Sequence, residues 1–117
     1  MELIKEILQK LEDKETMDGN IGAKAFPNYP PDDINYHIAI LYNAGLIEGR
    51  EIKHGLTTKW VTNRLTWQGH DFLDAAKNET IWNKAKDVVK EKGGIFSLEI
   101  LKKILAKFAM EHVFPSQ

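Results

Sequence analysis

The chain has no cysteine, which excludes disulfides and thiolate metal ligands. It has no apolar run approaching the roughly 18 residues that a membrane span requires. Its formal net charge is −1, so it lacks the basic excess that marks many nucleic-acid-binding domains. It contains neither a glycine-rich phosphate loop nor a nucleophile elbow. The opening residues Met1-Glu2-Leu3-Ile4-Lys5-Glu6 alternate charge with apolar side chains and read as neither a signal nor a transit peptide. What remains is a 117-residue chain with 43% hydrophobic and 28% charged residues. That balance suits one globular domain with its own core and, by default, a cytoplasmic location.

Apolar spacing supplies the expected elements. Leu3, Ile4, Ile7, Leu8 and Leu11 form one stripe on a helix from about Glu2 to Asp13. Lys14 to Asn20 is polar and closes on the turn signal Asp18-Gly19-Asn20. Ile21 to Phe26 suits a short strand, weakened by Gly22. Pro27, Pro30 and Pro31 leave room only for a loop or single turn before the next helix. Pro31 fits the first helical position, and Asp32 and Asp33 favour the helix dipole. Ile34, His37, Ile38, Leu41 and Ala44 share its inward face, which ends at Gly45, placed for a left-handed cap.

Ile47 to Ile52 and Lys59 to Leu65 read as a hairpin around His54-Gly55. Thr66 is a suitable N-cap for a helix carrying Trp67, Phe72, Leu73 and Ala76. Thr80 can cap a further helix from Ile81 to Lys92, with Ile81, Ala85, Val88 and Val89 inward. Gly93-Gly94 stops it, Ser97 caps a last helix from Leu98 to about Val113, and Pro115 ends that one. The order of helix, short strand, helix, hairpin and helix is the plan of a winged helix-turn-helix domain. The helix before Gly45 takes the recognition position and the hairpin is the wing. The expected fold is mainly α with a small β-hairpin: a winged-helix core over residues 1–77 and a C-terminal helical extension over 78–117, packed on the same domain.

Four segments follow in order: Tyr36-His37-Ile38, Ala44-Gly45-Leu46-Ile47-Glu48-Gly49, Arg64-Leu65-Thr66-Trp67-Gln68-Gly69-His70-Asp71-Phe72-Leu73-Asp74 and Ile81-Trp82-Asn83-Lys84-Ala85-Lys86. Together they resemble a family of small bacterial and phage proteins, a domain of unknown function. The Arg-Leu-Thr-Trp-x-Gly-His-x-Phe-Leu-Asp run is the most specific part, and the likeness spans nearly the whole chain. The resemblance implies a winged-helix fold and no particular activity. It also marks a departure. Relatives tend to carry a polar capping residue and a basic residue in the presumed recognition helix, and Pro30 and Ala39 stand in those places here.

Pro30 to Gly45 contains no Lys or Arg, and Asp32 and Asp33 occupy the end that would approach a duplex. The helical wheel turns Tyr36, Ala39, Ile40 and Asn43 outward with Asn35 at the flank, and either asparagine can in principle read adenine. A solvated or partner-covered face accounts for the same residues. The wing carries Arg50, Lys53, His54, Lys59 and Arg64 against Glu48 and Glu51. Such a wing can grip the phosphate backbone without reading sequence. Lys84, Lys86, Lys90 and Lys92 are diluted by Asp87 and Glu91 and read as a solvated helix face.

His37, His54, His70 and His112 are scattered and make no metal-ligand spacing, so neither a metal nor another cofactor is expected. His37 reads as a satisfied core histidine. His70 and Asp74 lie one helical turn apart, but no nucleophile converges on them and no enzyme is expected. Gly69 reads as a point of close helix packing. Trp60, Trp67, Phe72 and Trp82 read as core aromatics holding the wing on the domain rather than as a ligand cage.

Leu98, Ile100, Leu101, Ile104, Leu105, Phe108, Ala109 and Met110 make an apolar band wider than one core contact needs. A two-fold homodimer through Ile100, Leu101, Ile104, Leu105 and Phe108 is therefore expected. The functional expectation is a winged-helix DNA-binding protein, such as a phage or prophage regulator, that holds double-stranded DNA mainly through the wing. The alternative is a protein-interaction module that binds no DNA and uses the Tyr36 face or the last helix.

Overall fold

Leu3, Ile4, Ile7, Leu8 and Leu11 are all buried along one side of α1 (Glu2–Glu12), as their spacing requires. The structure is a computed structural model that describes residues 2–14, 19–91 and 98–113. Among these the chain is mainly helical, with five α-helices and one two-stranded antiparallel hairpin. It divides into two compact units, Met1–His70 and Asp71–Gln117.

In the first unit, α1 is followed by a single 3-10 turn at Ala23–Ala25 and then by α2 (Pro31–Asn43). The strand expected over Ile21 to Phe26 does not form. Only Ile21 makes a β-bridge, to Thr62, before the chain turns into the 3-10 segment. Gly22 and the nearby prolines give a ladder little to extend on. Phe26 is buried, with the Lys10 ammonium 5.6 Å from its ring centre. Ile34, Ile38 and Leu41 carry the buried face of α2. His37 is only half-buried, not a core residue. It donates from Nδ1 to the Asp33 carbonyl at 2.7 Å and meets the Tyr36 ring edge-on.

Helix α2 ends as its glycine predicts. Gly45, at φ +78, donates to the Tyr42 carbonyl, and Leu46 donates to the Leu41 carbonyl. These paired bonds are a Schellman closure, which satisfies carbonyls the helix leaves open. Leu46 is then buried and leads into β1 (Ile47–His54), which pairs with β2 (Thr57–Leu65). Both strands run further toward the turn than residue propensities suggest. Gly55 has φ +64 and Leu56 has a negative φ, the pattern of a type II′ two-residue turn.

Near its base the hairpin has a bulge. Glu48 opposes Arg64 and Gly49 opposes Thr62, leaving Asn63 as the extra residue. A Cβ on Gly49 would lie 2.6 Å from the Val61 carbonyl oxygen, so the bulge requires glycine there. The Asn63 carbonyl accepts from Lys14 Nζ at 2.8 Å, and the same ammonium donates to Gly19, tying the connector after α1 to the bulge.

Helix α3 (Trp67–Lys77) starts on the expected cap: Thr66 Oγ1 accepts from the Gly69 N–H at 3.0 Å and donates to the Gly45 carbonyl at 2.6 Å. In the second unit Phe72, Leu73, Ala75 and Ala76 of α3 are buried, as are Ile81, Trp82, Ala85 and Val89 of α4 (Glu79–Glu91). The cap of α4 is Asn78 rather than Thr80. Its Oδ1 accepts from the Ile81 N–H at 3.1 Å, and Thr80 lies inside the helix, exposed. Asparagine out-competes threonine here because its position is the one from which a side-chain oxygen reaches the third N–H onward. Helix α5 (Leu98–Val113) packs on α4, burying Leu98, Leu101 and Leu105. The Gly93-Gly94 stop, the Ser97 cap and Pro115 lie outside the described residues.

Candidate nucleic-acid interface

Strand pairing sorts the hairpin residues that the sequence treats as one group. Side chains alternate along each strand, and directly opposed residues share a face. Arg50 opposes Val61, Ile52 opposes Lys59, His54 opposes Thr57, and Glu48 opposes Arg64. These pairs make one face of the hairpin, and all of them except half-buried Val61 are exposed. The other face carries Glu51 opposite Trp60 and Lys53 opposite Thr58, and toward the base the buried Thr62, Ile47 and Leu65. Arg50, His54, Lys59 and Arg64 are thus brought together, and Lys53 is not.

The cations on the exposed face are not equivalent. The Arg64 guanidinium is hydrogen-bonded to the Glu48 carboxylate. That bond is the main cause holding Glu48 below the usual carboxylate range; desolvation opposes it and the Arg64 charge adds to it. Lys53 lies 3.4 Å from Glu51 on the opposite face. Arg50 and Lys59 have no such partner among the described residues and are diagonal neighbours across the ladder, roughly 7–8 Å apart. Ile52 through His70 contains no carboxylate, which makes the second half of the hairpin and the start of α3 a one-sign segment in a chain of near-zero net charge.

The outward face of α2 is narrower than its wheel suggests. Tyr36 is 64% exposed and Asn43 is exposed, but Ala39 and Ile40 are half-buried. The side-chain oxygen of Asn35 is engaged within the chain: Oδ1 accepts the Trp60 backbone N–H at 3.0 Å. On an antiparallel strand every second residue directs its backbone groups away from its partner. On β2 these are Thr62, whose N–H and C=O are both taken by Ile21 at 2.9 and 2.7 Å, and Trp60, whose N–H is taken by Asn35. Asn35 therefore continues, with one side chain, the third strand that Ile21 begins. The Trp60 ring rests on Tyr42 at 5.5 Å between centres, so the same two elements are joined twice.

The four aromatics expected in the core divide. Phe72 and Trp82 are buried and Trp60 is half-buried, but Trp67 is 87% exposed. It is the first residue of α3 and shares its helical stripe with His70, Asp71 and Asp74, all exposed, while Gly69, Phe72 and Leu73 take the buried side. The band on α5 also divides. Leu101 and Leu105 are buried within the chain's own fold. Ile100 is exposed, and Ile104 and Phe108 are half-buried. Lys84 lies 5.8 Å from the centre of the Phe108 ring, so part of the expected solvated lysine face covers an aromatic.

Sequence reasoning missed Tyr29, whose phenol is pushed above its ordinary value chiefly by its hydrogen bond to the Glu6 carboxylate. It also missed a shallow open groove of about 500 Å³ lined by Glu6, Gln9, Lys10, Asp13, Lys14 and Ile21. The groove's two carboxylates and two ammoniums offer no one-sign surface. Among the described residues no group of His, Asp or Glu is placed to hold a metal ion, and no helix is long and apolar enough to cross a membrane.

Fold and surface together define a small, mainly helical domain that displays a β-hairpin with a basic outer face. Residues 1–95 match the family described as hypothetical protein (DUF2513), and the chain belongs to that family. An uncharacterised protein of Haemophilus influenzae is 34% identical over 103 residues, covering 88% of this chain and 87% of that protein. No solved structure matches the chain.

Proposed function

We propose that this chain is a winged-helix module that binds double-stranded DNA through phosphate contacts from the exposed face of the hairpin. The observation that carries the proposal is the pair Arg50 and Lys59, neighbours on that face with no carboxylate partner among the described residues. The winged-helix reading is supported by element order. A helix, a bridge from Ile21 to the hairpin, a single turn, a second helix ending at Gly45 and a hairpin follow one another. Contacts to phosphate fix register and supply affinity, but they carry no base readout. Generic duplex binding with strong salt dependence is the expected behaviour.

The full chain is titrated with a mixed-sequence duplex of about 25 base pairs between 50 and 200 mM salt. Two phosphate contacts predict a log–log slope of about −2. No binding at about 50 mM salt overturns the proposal.

One observation favours a protein partner instead. Helix α2 offers no cation, starts with exposed Asp32 and Asp33, and shows Tyr36 to solvent. Loss of partner capture on Tyr36→Ala with no duplex binding is the outcome that selects that reading. A two-fold dimer through α5 is proposed only over exposed Ile100 with half-buried Ile104 and Phe108. Sedimentation showing only monomer at high micromolar protein removes it.

A further inference from the structure

We propose that Leu56 acts as a wedge: with the hairpin seated on a duplex, its side chain enters the minor groove, unstacks one base step and bends the DNA. This rests on the nucleic-acid reading above. Leu56 is the second residue of the two-residue turn and is 107% exposed, against 38% for Ile52 nearby on the same hairpin. The turn does not require leucine. Gly55 supplies the one positive φ, and the next position accepts polar residues such as Asn or Ser. An aliphatic side chain there packs on nothing among the described residues and adds exposed apolar surface.

Its surroundings select the kind of partner. Lys53 and Lys59 flank the turn on opposite faces of the ribbon, His54 adjoins it, and no carboxylate occurs from Ile52 to His70. A minor groove has a phosphate rail on each side, so a cation on each face of the ribbon meets one rail apiece. The exposed Lys53–Glu51 pair is of the weak surface kind and exchanges readily for phosphate. The relaxed groove is about 6 Å wide, narrower than two strands with their side chains. Only the single tip residue therefore enters, and apolar tips of this kind open the groove by parting a base step.

The test uses the full chain and a duplex with a central TA step, which unstacks easily. It carries 2-aminopurine at that step and a donor–acceptor dye pair at its ends. Wild-type protein is expected to raise 2-aminopurine emission and shorten the end-to-end distance. Leu56→Ser is expected to keep its melting temperature, bind roughly tenfold more weakly and lose both signals. Leu56→Phe is expected to restore them. Leu56→Ser binding with both signals intact overturns the wedge and leaves the phosphate reading standing. Wild-type protein that binds no duplex at about 50 mM salt overturns both, as does capture by anionic vesicles with no duplex binding.

Discussion

Gly69 lies directly against the carbonyl of Leu46: a Cβ on Gly69 would sit 1.9 Å from that oxygen. The same carbonyl accepts the Thr66 N–H at 3.0 Å, and the Thr66 hydroxyl reaches the Gly45 carbonyl. The end of α2 and the start of α3 are thus joined backbone to backbone, and this joint closes the base of the hairpin. It explains why Gly45-Leu46 and Thr66-x-x-Gly69 occur together in one chain. Gly69→Ala is expected to destabilise by about 3 kcal/mol or more, because the obstacle is backbone and cannot rotate away. Gly55→Ala, with φ +64 but open space around it, is expected to cost only about 1 kcal/mol. Urea midpoints of the two variants check the difference, and equal midpoints refute the joint.

Thr66→Ala removes a hydroxyl that both donates and accepts, and is expected to cost about 1 kcal/mol. Thr66→Ser, which keeps both bonds, is expected to melt within a degree or two of wild type. A Thr66→Ala variant as stable as wild type contradicts the cap.

Asn35→Ala leaves the part-buried Trp60 N–H without its acceptor and is expected to cost about 1 kcal/mol. Faster amide exchange at Trp60 is the specific readout. If Asn35 read bases instead, the variant would change sequence preference and leave Trp60 exchange unmoved.

Charge reversal separates the two faces of the hairpin. Arg50→Glu and Lys59→Glu are each expected to weaken duplex binding about tenfold or more at low salt. Lys53→Glu is expected to do less, since Glu51 already offsets that charge. Glu48→Gln frees Arg64 for phosphate and is expected to tighten binding several-fold. Loss of binding in Lys53→Glu, with Arg50→Glu and Lys59→Glu both without effect, would show that the exposed face is not the one that binds.

The Glu48–Arg64 pair sets a pH dependence whose sign is determined. Glu48 is held below its ordinary range in the folded chain. Its contribution is therefore full at pH above the unfolded carboxylate range and is lost as pH falls through the lower folded value. In Arg64→Gln the Glu48 titration is expected to move back up toward the ordinary range, as followed by carboxyl carbon shifts. No movement would mean that the pair does not persist in solution.

What could be read from the chain were features settled within a few residues. The α1 stripe, the glycine closure after α2, the Thr66 cap and the close approach at Gly69 depend on spacings of three to five positions or on a glycine's missing side chain. Partners far apart in sequence could not be read this way. Asn35 and Trp60 are 25 positions apart, and only strand register shows that the Trp60 N–H points away from β1. The hairpin cations gave the same difficulty: without the bulge at Glu48/Gly49 one cannot tell which of them share a face.

By itself, then, the sequence determined a mainly helical chain with one hairpin, the glycine closure after α2 and the Thr66 cap, because apolar periodicity and turn chemistry act locally. Tertiary structure alone decided which cations stand together, that Asn35 serves the sheet, that Trp67 and Leu56 face water, and that Leu101 and Leu105 belong to the protomer's own core. Those outcomes depend on which surfaces meet, and burial is settled by the whole packed chain rather than by any segment of it.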